Sequence, residues 1–312
     1  MISLRYHAVS LAAVFLALAV GVLIGSSGVS DRLLGAVSTE RDDLGARVQE
    51  LTAERDVLSA AQRGADEFAT RIGPAAVRGV LAGQPVTLVT SGADPADRDG
   101  VVALLREAGA RLAGEVALTE AVGDPARAGQ LRELTVALLP TGAQLPAASD
   151  TGSLAGGLLG AVLLGAPGTP PARPRVTPEQ ARVVLTGLAA AGFVQPGDPP
   201  APANLVLVLA GGALPGIDAG DAAAVTARLA AQLDRLGAGA VLAGRAGSAE
   251  STGPVGVARA DPALTAALST VDDVQTGSGR VSAVLALRDQ LDGRAGRYGT
   301  APTAADGASP GA

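Results

Sequence analysis

Asn204-Leu-Val-Leu-Val-Leu-Ala210 decides the fold. Positions 205–210 form an unbroken apolar run between the Pro-rich segment 195–203 and Gly211-Gly212. A short apolar run bounded by turn signals reads as a strand buried on both faces, as in a parallel sheet. Working forward, a helix is expected at about 219–236 and a second buried strand at Ala240-Val-Leu-Ala243. That strand runs into Gly244-Arg-Ala-Gly-Ser248. Ser269-Thr-Val-Asp-Asp273 is short and extended. Gly279 to Leu291 reads as a helix through Val281, Val284, Leu285 and Leu287. Beyond Tyr298 the residues are small and Pro-containing, which predicts a disordered tail.

Working backward, Thr177-Pro178-Glu179-Gln180 begins a helix, with Thr177 as N-cap and Pro178 at its first position. Leu154 to Ala166 is a run too short to span a bilayer and is expected to be a buried or interfacial helix. Pro85-Val-Thr-Leu-Val-Thr90 reads as a strand. Asp94 then caps a helix carrying Val101, Val102, Leu104 and Leu105, Gly109 closes it, and Arg111 to Thr119 is the next strand. This β-α-β order predicts an α/β fold with a parallel sheet, in two halves at 75–165 and 179–298, joined by a Pro-rich linker at 166–178.

The N-terminal region is of a different kind. From Ala8 to Ile24 no residue is charged, and positions 8–28 as a helix would reach about 31 Å, enough for a hydrocarbon core. Residues 1–30 therefore read as a transmembrane anchor. A cleaved signal peptide is the alternative, although Gly25-Ser-Ser-Gly28 is a weak match to a cleavage site. Either reading places the remainder outside the cytoplasm, with Arg5 inside. Behind it, Leu34, Val37, Arg41, Leu44, Val48, Leu51, Arg55 and Leu58 alternate spacings of three and four, a heptad seam with charged flanks. Residues 31–73 are expected to be a coiled-coil helix ended by Gly64 and Gly73-Pro74. It would either join two copies or pack on its own domain.

Composition bounds the chemistry. The 312 residues carry a net charge of −6 with no Lys, so nucleic acid is not an expected partner. Aromatic residues are only 2%, so the core must come from Ala, Val and Leu. There is no Cys, one His (His7) and one Met (Met1). Ser248, Ser251 and Thr252 therefore have no imidazole base in the globular region, and serine–lysine chemistry lacks its lysine. No enzymatic activity and no cofactor are expected. The Gly-rich turns at Leu209-Ala-Gly-Gly-Ala213 and Gly244-Arg-Ala-Gly247 stand where phosphate-cradling loops stand, but neither is a G-x-G-x-x-G or P-loop, and tight turns account for both. Asp272 and Asp273 are the weak metal candidates, suited at best to a hard cation, with capping or solvation as the plainer account.

The opening Met1-Ile-Ser-Leu-Arg-Tyr-His-Ala-Val-Ser-Leu-Ala-Ala-Val-Phe-Leu-Ala-Leu-Ala-Val-Gly21 resembles the mycobacterial copper transport protein B family, MctB. So do Leu242-Ala-Gly-Arg-Ala-Gly-Ser248, Ser269-Thr-Val-Asp-Asp273, Gly279-Arg280 with Val284-Leu-Ala-Leu287, and Tyr298-Gly299. The resemblance implies an actinobacterial outer-envelope, channel-like protein that keeps intracellular copper low. Copper(I) prefers thiolate and thioether, and copper(II) prefers imidazole. A direct copper site is therefore not expected, and the implied role would be indirect or that of one component of an oligomeric channel. A β-barrel would need alternating ten-residue strands and aromatic girdles, which this sequence lacks. The rival reading is a coiled-coil scaffold that meets other envelope proteins.

Overall fold

A computed structural model describes residues 4–26, 29–166, 173–307 and 309–310 of the chain. The chain divides into two compact units, Met1–Gly64 and Ala65–Ala312. The first holds helix α1 (Leu4–Ser26) and most of helix α2 (Val29–Ala76). Within α1, Arg5–Gly25 is long and apolar enough to cross a membrane. Its side chains are exposed all round, as expected of a helix with no polar face.

Helix α2 spans 48 residues and does not stop at Gly64. An interior glycine costs a helix about 1 kcal/mol, too little to end one held elsewhere. The hold lies in its last turns. The Asp66 carboxylate accepts the Gly277 N–H, and Gly73 packs so closely on Val281 that a Cβ would lie 2.8 Å from its Cγ2. Pro74 falls two residues before the end, and the helix closes at Ala76. Along the seam, Leu44, Val48, Leu51 and Leu58 are 56%, 62%, 64% and 61% exposed. The seam side chains of Leu34 and Val37 lie outside the described residues.

The second unit is an α/β sandwich. In chain order it contains β1 (Pro85–Ser91), α3 (Pro95–Glu107), β2 (Arg111–Leu118), α4 (Ala128–Ala137) and α5 (Thr151–Leu163). A short antiparallel pair follows, β3 (Gly165–Ala166) with β4 (Arg173–Pro174), then α6 (Pro178–Ala190) and β5 (Leu205–Ala210). The order ends with α7 (Ala219–Leu236), β6 (Gly239–Gly244), α8 (Pro254–Ala260), α9 (Pro262–Thr265), β7 (Ser269–Val271), α10 (Gly277–Leu291) and β8 (Arg297–Tyr298). Six strands form one parallel sheet in the order β2-β1-β5-β6-β7-β8. The stretches 75–165 and 179–298 thus meet in a single sheet, with Val86 opposite Leu205. The predicted linker at 166–178 falls largely on residues 167–172, outside the described residues.

The central strand β5 shows why its apolar run is unbroken. Leu205, Leu207 and Leu209 face a core shared with α3 and α10. Val206, Val208 and Ala210 face a core shared with α5, α6 and α7. Side chains alternate across a strand, so a strand covered by helices on both faces needs apolar residues at every position.

Helix α5 is buried nearly throughout and runs from 151 to 163, three residues earlier than its apolar run suggests. Asp150 fixes the start by accepting the Ser153 N–H at 2.8 Å. Gly152, Gly156 and Gly160 form a stripe against α7. A Cβ on Gly156 would lie 2.8 Å from the Leu229 carbonyl oxygen, and one on Gly160 would lie 2.5 Å from a Leu236 methyl. With few aromatics to fill space, the fold closes this layer by bringing two helix backbones together.

The caps read from sequence are present. Asp94 accepts the Ala96 N–H at 2.8 Å, and Thr177 forms a reciprocal box with Gln180. The tail differs from expectation. Residues 299–307 are folded back, with Gly299 N–H donating to the Gly307 carbonyl and Arg297 paired with Asp306. Composition predicts disorder there, but the backbone of Thr300 and Ala301 is bound by a buried carboxylate described next.

Candidate functional site

Asp272 and Asp273 follow β7, and the structure gives them different surroundings. Both oxygens of Asp272 are occupied. Oδ2 lies 2.5 Å from Arg259 Nη1, and Oδ1 accepts the N–H groups of Thr300 at 2.8 Å and Ala301 at 3.2 Å. The Arg259 and Asp272 side chains are each only 2% exposed. Arg259 also donates to Thr270 Oγ1, Thr303 Oγ1 and the Tyr298 carbonyl. Gly299 must be glycine here. Its φ is +133°, and a Cβ would collide with the Asp272 carboxylate. The pair is therefore a structural node that ties α8, β7, β8 and the tail together.

Asp273 is buried beside it at 2% exposure. Its Oδ1 has no hydrogen-bond partner, and its Oδ2 has only a long contact with Thr276 Oγ1 at 3.4 Å. Burial, with Asp272 adding to it, pushes its pKa up to about 6. With Asp272 committed to Arg259, Asp273 is a single carboxylate and offers too few donors for a hard cation. Among the described residues no three His, Cys, Asp or Glu side chains converge to hold a metal.

Ser248 is fully buried in the loop after β6, with its hydroxyl unpaired and no route to solvent. Thr252 contributes its carbonyl to Leu214 N–H. The Gly-rich turns serve close packing. A Cβ on Gly211 would lie 2.7 Å from the Gly92 carbonyl oxygen, and one on Gly212 would lie 2.8 Å from the Ala246 carbonyl oxygen. What faces these glycines is carbonyl acceptor, the wrong sign for a phosphate cradle.

Among the described residues, a large crevice lies between the carboxyl ends of β1 and β5, where the strand order reverses, the usual ligand position in an open α/β sheet. Its volume is about 680 Å³. At its floor the Ser91 and Thr226 hydroxyls stand 3.5 Å apart. Pro125, Leu214, Pro215 and Ile217 line its walls, and Glu120, Asp124 and Asp218 its rim, with no cationic side chain in the lining. Such a rim disfavours anions. Sequence reading missed this crevice because it is built by the loops 119–125 and 211–218, which carry no periodic signal. It missed Arg259 because that residue sits on a seven-residue helix 13 positions from its carboxylate.

Within the α/β unit, the segments that carry the resemblance come together around the node. Leu242–Ser248, Ser269–Asp273 and Tyr298–Gly299 lie on or just after the neighbouring strands β6, β7 and β8, and α10 covers β6 and β7. Residues 1–309 match the family described as "Copper transport outer membrane protein, MctB". The chain belongs to the MctB family. It is 42% identical over 306 residues to proteins named Copper transporter MctB from Mycobacterium bovis and Mycobacterium tuberculosis, covering 96% of each chain. It is 40% identical over 308 residues to Copper transporter MctB of Mycobacterium leprae, again with 96% of each chain covered. The MctB resemblance read from the sequence therefore extends from helix α1 to the tail.

Proposed function

We propose that this chain takes part in copper transport from a membrane-held position, with its α/β unit outside the cytoplasm, and without supplying copper's ligands from that unit. The single observation that carries the reading is the full-length match to the MctB family, whose relatives here are named copper transporters. Helix α1 supports the membrane-held part, since Arg5–Gly25 is long and apolar enough to span and begins with a cation. The donor set supports the indirect part, because residues 31–312 contain no Cys, His or Met. Oxygen donors alone hold copper(I) poorly. In this reading the chain is non-catalytic, and its contribution is positional, through self-association or other envelope proteins.

The test is complementation. A host lacking the gene should stop growing at lower copper and accumulate more of it. The full chain should restore tolerance, while a chain without residues 1–30, present in equal amount, should not. Unchanged copper tolerance in the deletion host would overturn the reading.

A further inference from the structure

We infer that α2 pairs with a second copy of this chain as a parallel, in-register dimer, in which Arg41 and Arg55 of each copy are neutralised by Glu40 and Glu54 of the other. This rests on the membrane-held reading, because two chains anchored at the same end in one membrane present their α2 helices in parallel.

The seam spacing sets Arg41, Val48 and Arg55 at the a positions and Leu44, Leu51 and Leu58 at the d positions. Leucine at d with a β-branched residue at a suits two parallel strands. All four apolar members are more than half exposed in the single chain. The difficulty is the two arginines, which would face their own copies across the seam. The flanks answer it. The g positions are Glu40, Arg47 and Glu54, and the e positions are Gly45, Thr52 and Ser59, which carry no charge. With no e cation to meet, each g glutamate is free for the seam. An a side chain enters a hole on the other helix that includes the g residue just before the facing a position. Arg41 therefore meets Glu40, and Arg55 meets Glu54, of the second copy. Within one chain Arg55 reaches only Asp56, at 2.7 Å, and both groups stay largely exposed. Such a pair is easily exchanged.

The same residues penalise the wrong register. A slip of one heptad puts Arg41 opposite Val48 and beside Arg47, a like charge. A slip of two heptads restores Glu–Arg contact but gives up two layers of the leucine seam. Apolar burial supplies the affinity, and the charges set the alignment.

The chain has no cysteine, so single substitutions report cleanly. Leu44→Cys and Leu58→Cys, each made in the full chain in detergent micelles, should both convert to disulfide dimers under mild oxidation. Ala46→Cys, on the outer face, should link at least tenfold more slowly. In an antiparallel pair only a residue at the two-fold axis meets its own copy, so at most one of the two seam variants could link. Glu54→Arg should raise the dimer dissociation constant at least tenfold in sedimentation, and adding Arg55→Glu should restore it. Linking by only one seam variant or by neither, or an unchanged dissociation constant in Glu54→Arg, would overturn the inference. Copper tolerance is read separately in the same host. A non-linking chain that still restores tolerance would defeat this inference alone.

Discussion

Replacing Arg259 by Met is expected to destabilise the α/β unit by about 3–5 kcal/mol, because it leaves the Asp272 carboxylate buried without its cation. Few single changes in this fold combine so many losses. Arg259 also holds Thr270, Thr303 and the Tyr298 carbonyl, so β8 and the folded tail lose their tie to β7. Asp272→Asn keeps the shape and two backbone donors, and should cost less. The double variant Arg259→Met with Asp272→Asn should be more stable than Arg259→Met alone, since position 272 then carries no unpaired buried charge. With no Trp to report unfolding, hydrogen exchange of the β5 and β6 amides is the suitable measurement, as it reads the sheet apart from α1 and α2. An Arg259→Met chain with wild-type protection would show that the node carries no stability.

Asp273→Asn is expected to act in the opposite direction. The Asp273 pKa is raised in the folded state to about 6 from 3.8, so the folded chain binds its proton more tightly than the unfolded chain. Stability attached to that proton is present at acid pH and is lost as pH rises between about 4 and 6. A shift of that size corresponds to about 3 kcal/mol at neutral pH. Asn mimics the neutral carboxyl. The variant should therefore be more stable than the wild type at pH 7, by up to that amount less the weak Thr276 contact, and equal to it near pH 4. Asp234 is also pushed up to about 6 by burial, opposed by the Ala240 N–H it accepts, so some loss of stability with rising pH should remain in the variant. Identical pH profiles for variant and wild type would contradict the assigned environment of Asp273.

Strand β5 could be read because both of its faces are apolar and its ends are punctuated by Pro and Gly. The caps at Asp94 and Thr177 could be read because capping is a local interaction over three residues. Helix α4 escaped because 128–137 is short and has only a weak apolar stripe, with Leu131 and Thr135 its buried residues. The tail misled because disorder was inferred from composition, whereas its order comes from an Asp272 carboxylate 28 residues earlier. Asp272 and Asp273 look alike in sequence. What separates them is Arg259, brought to one and not the other by the packing of α8 on β7. Long-range pairing of that kind leaves no periodic or spacing signal, and the crevice between β1 and β5 is hidden for the same reason.

A chain of a copper-transport family that contributes without copper ligands in its α/β unit should hold no copper tightly on its own. The most direct test is a copper(I) titration of the full chain in detergent against a competing chelator, alongside His7→Ala to remove its only imidazole. Neither protein should bind copper(I) stoichiometrically at submicromolar affinity. One equivalent held at submicromolar affinity in His7→Ala would overturn that role, because the remaining chain beyond Met1 supplies only oxygen and backbone donors.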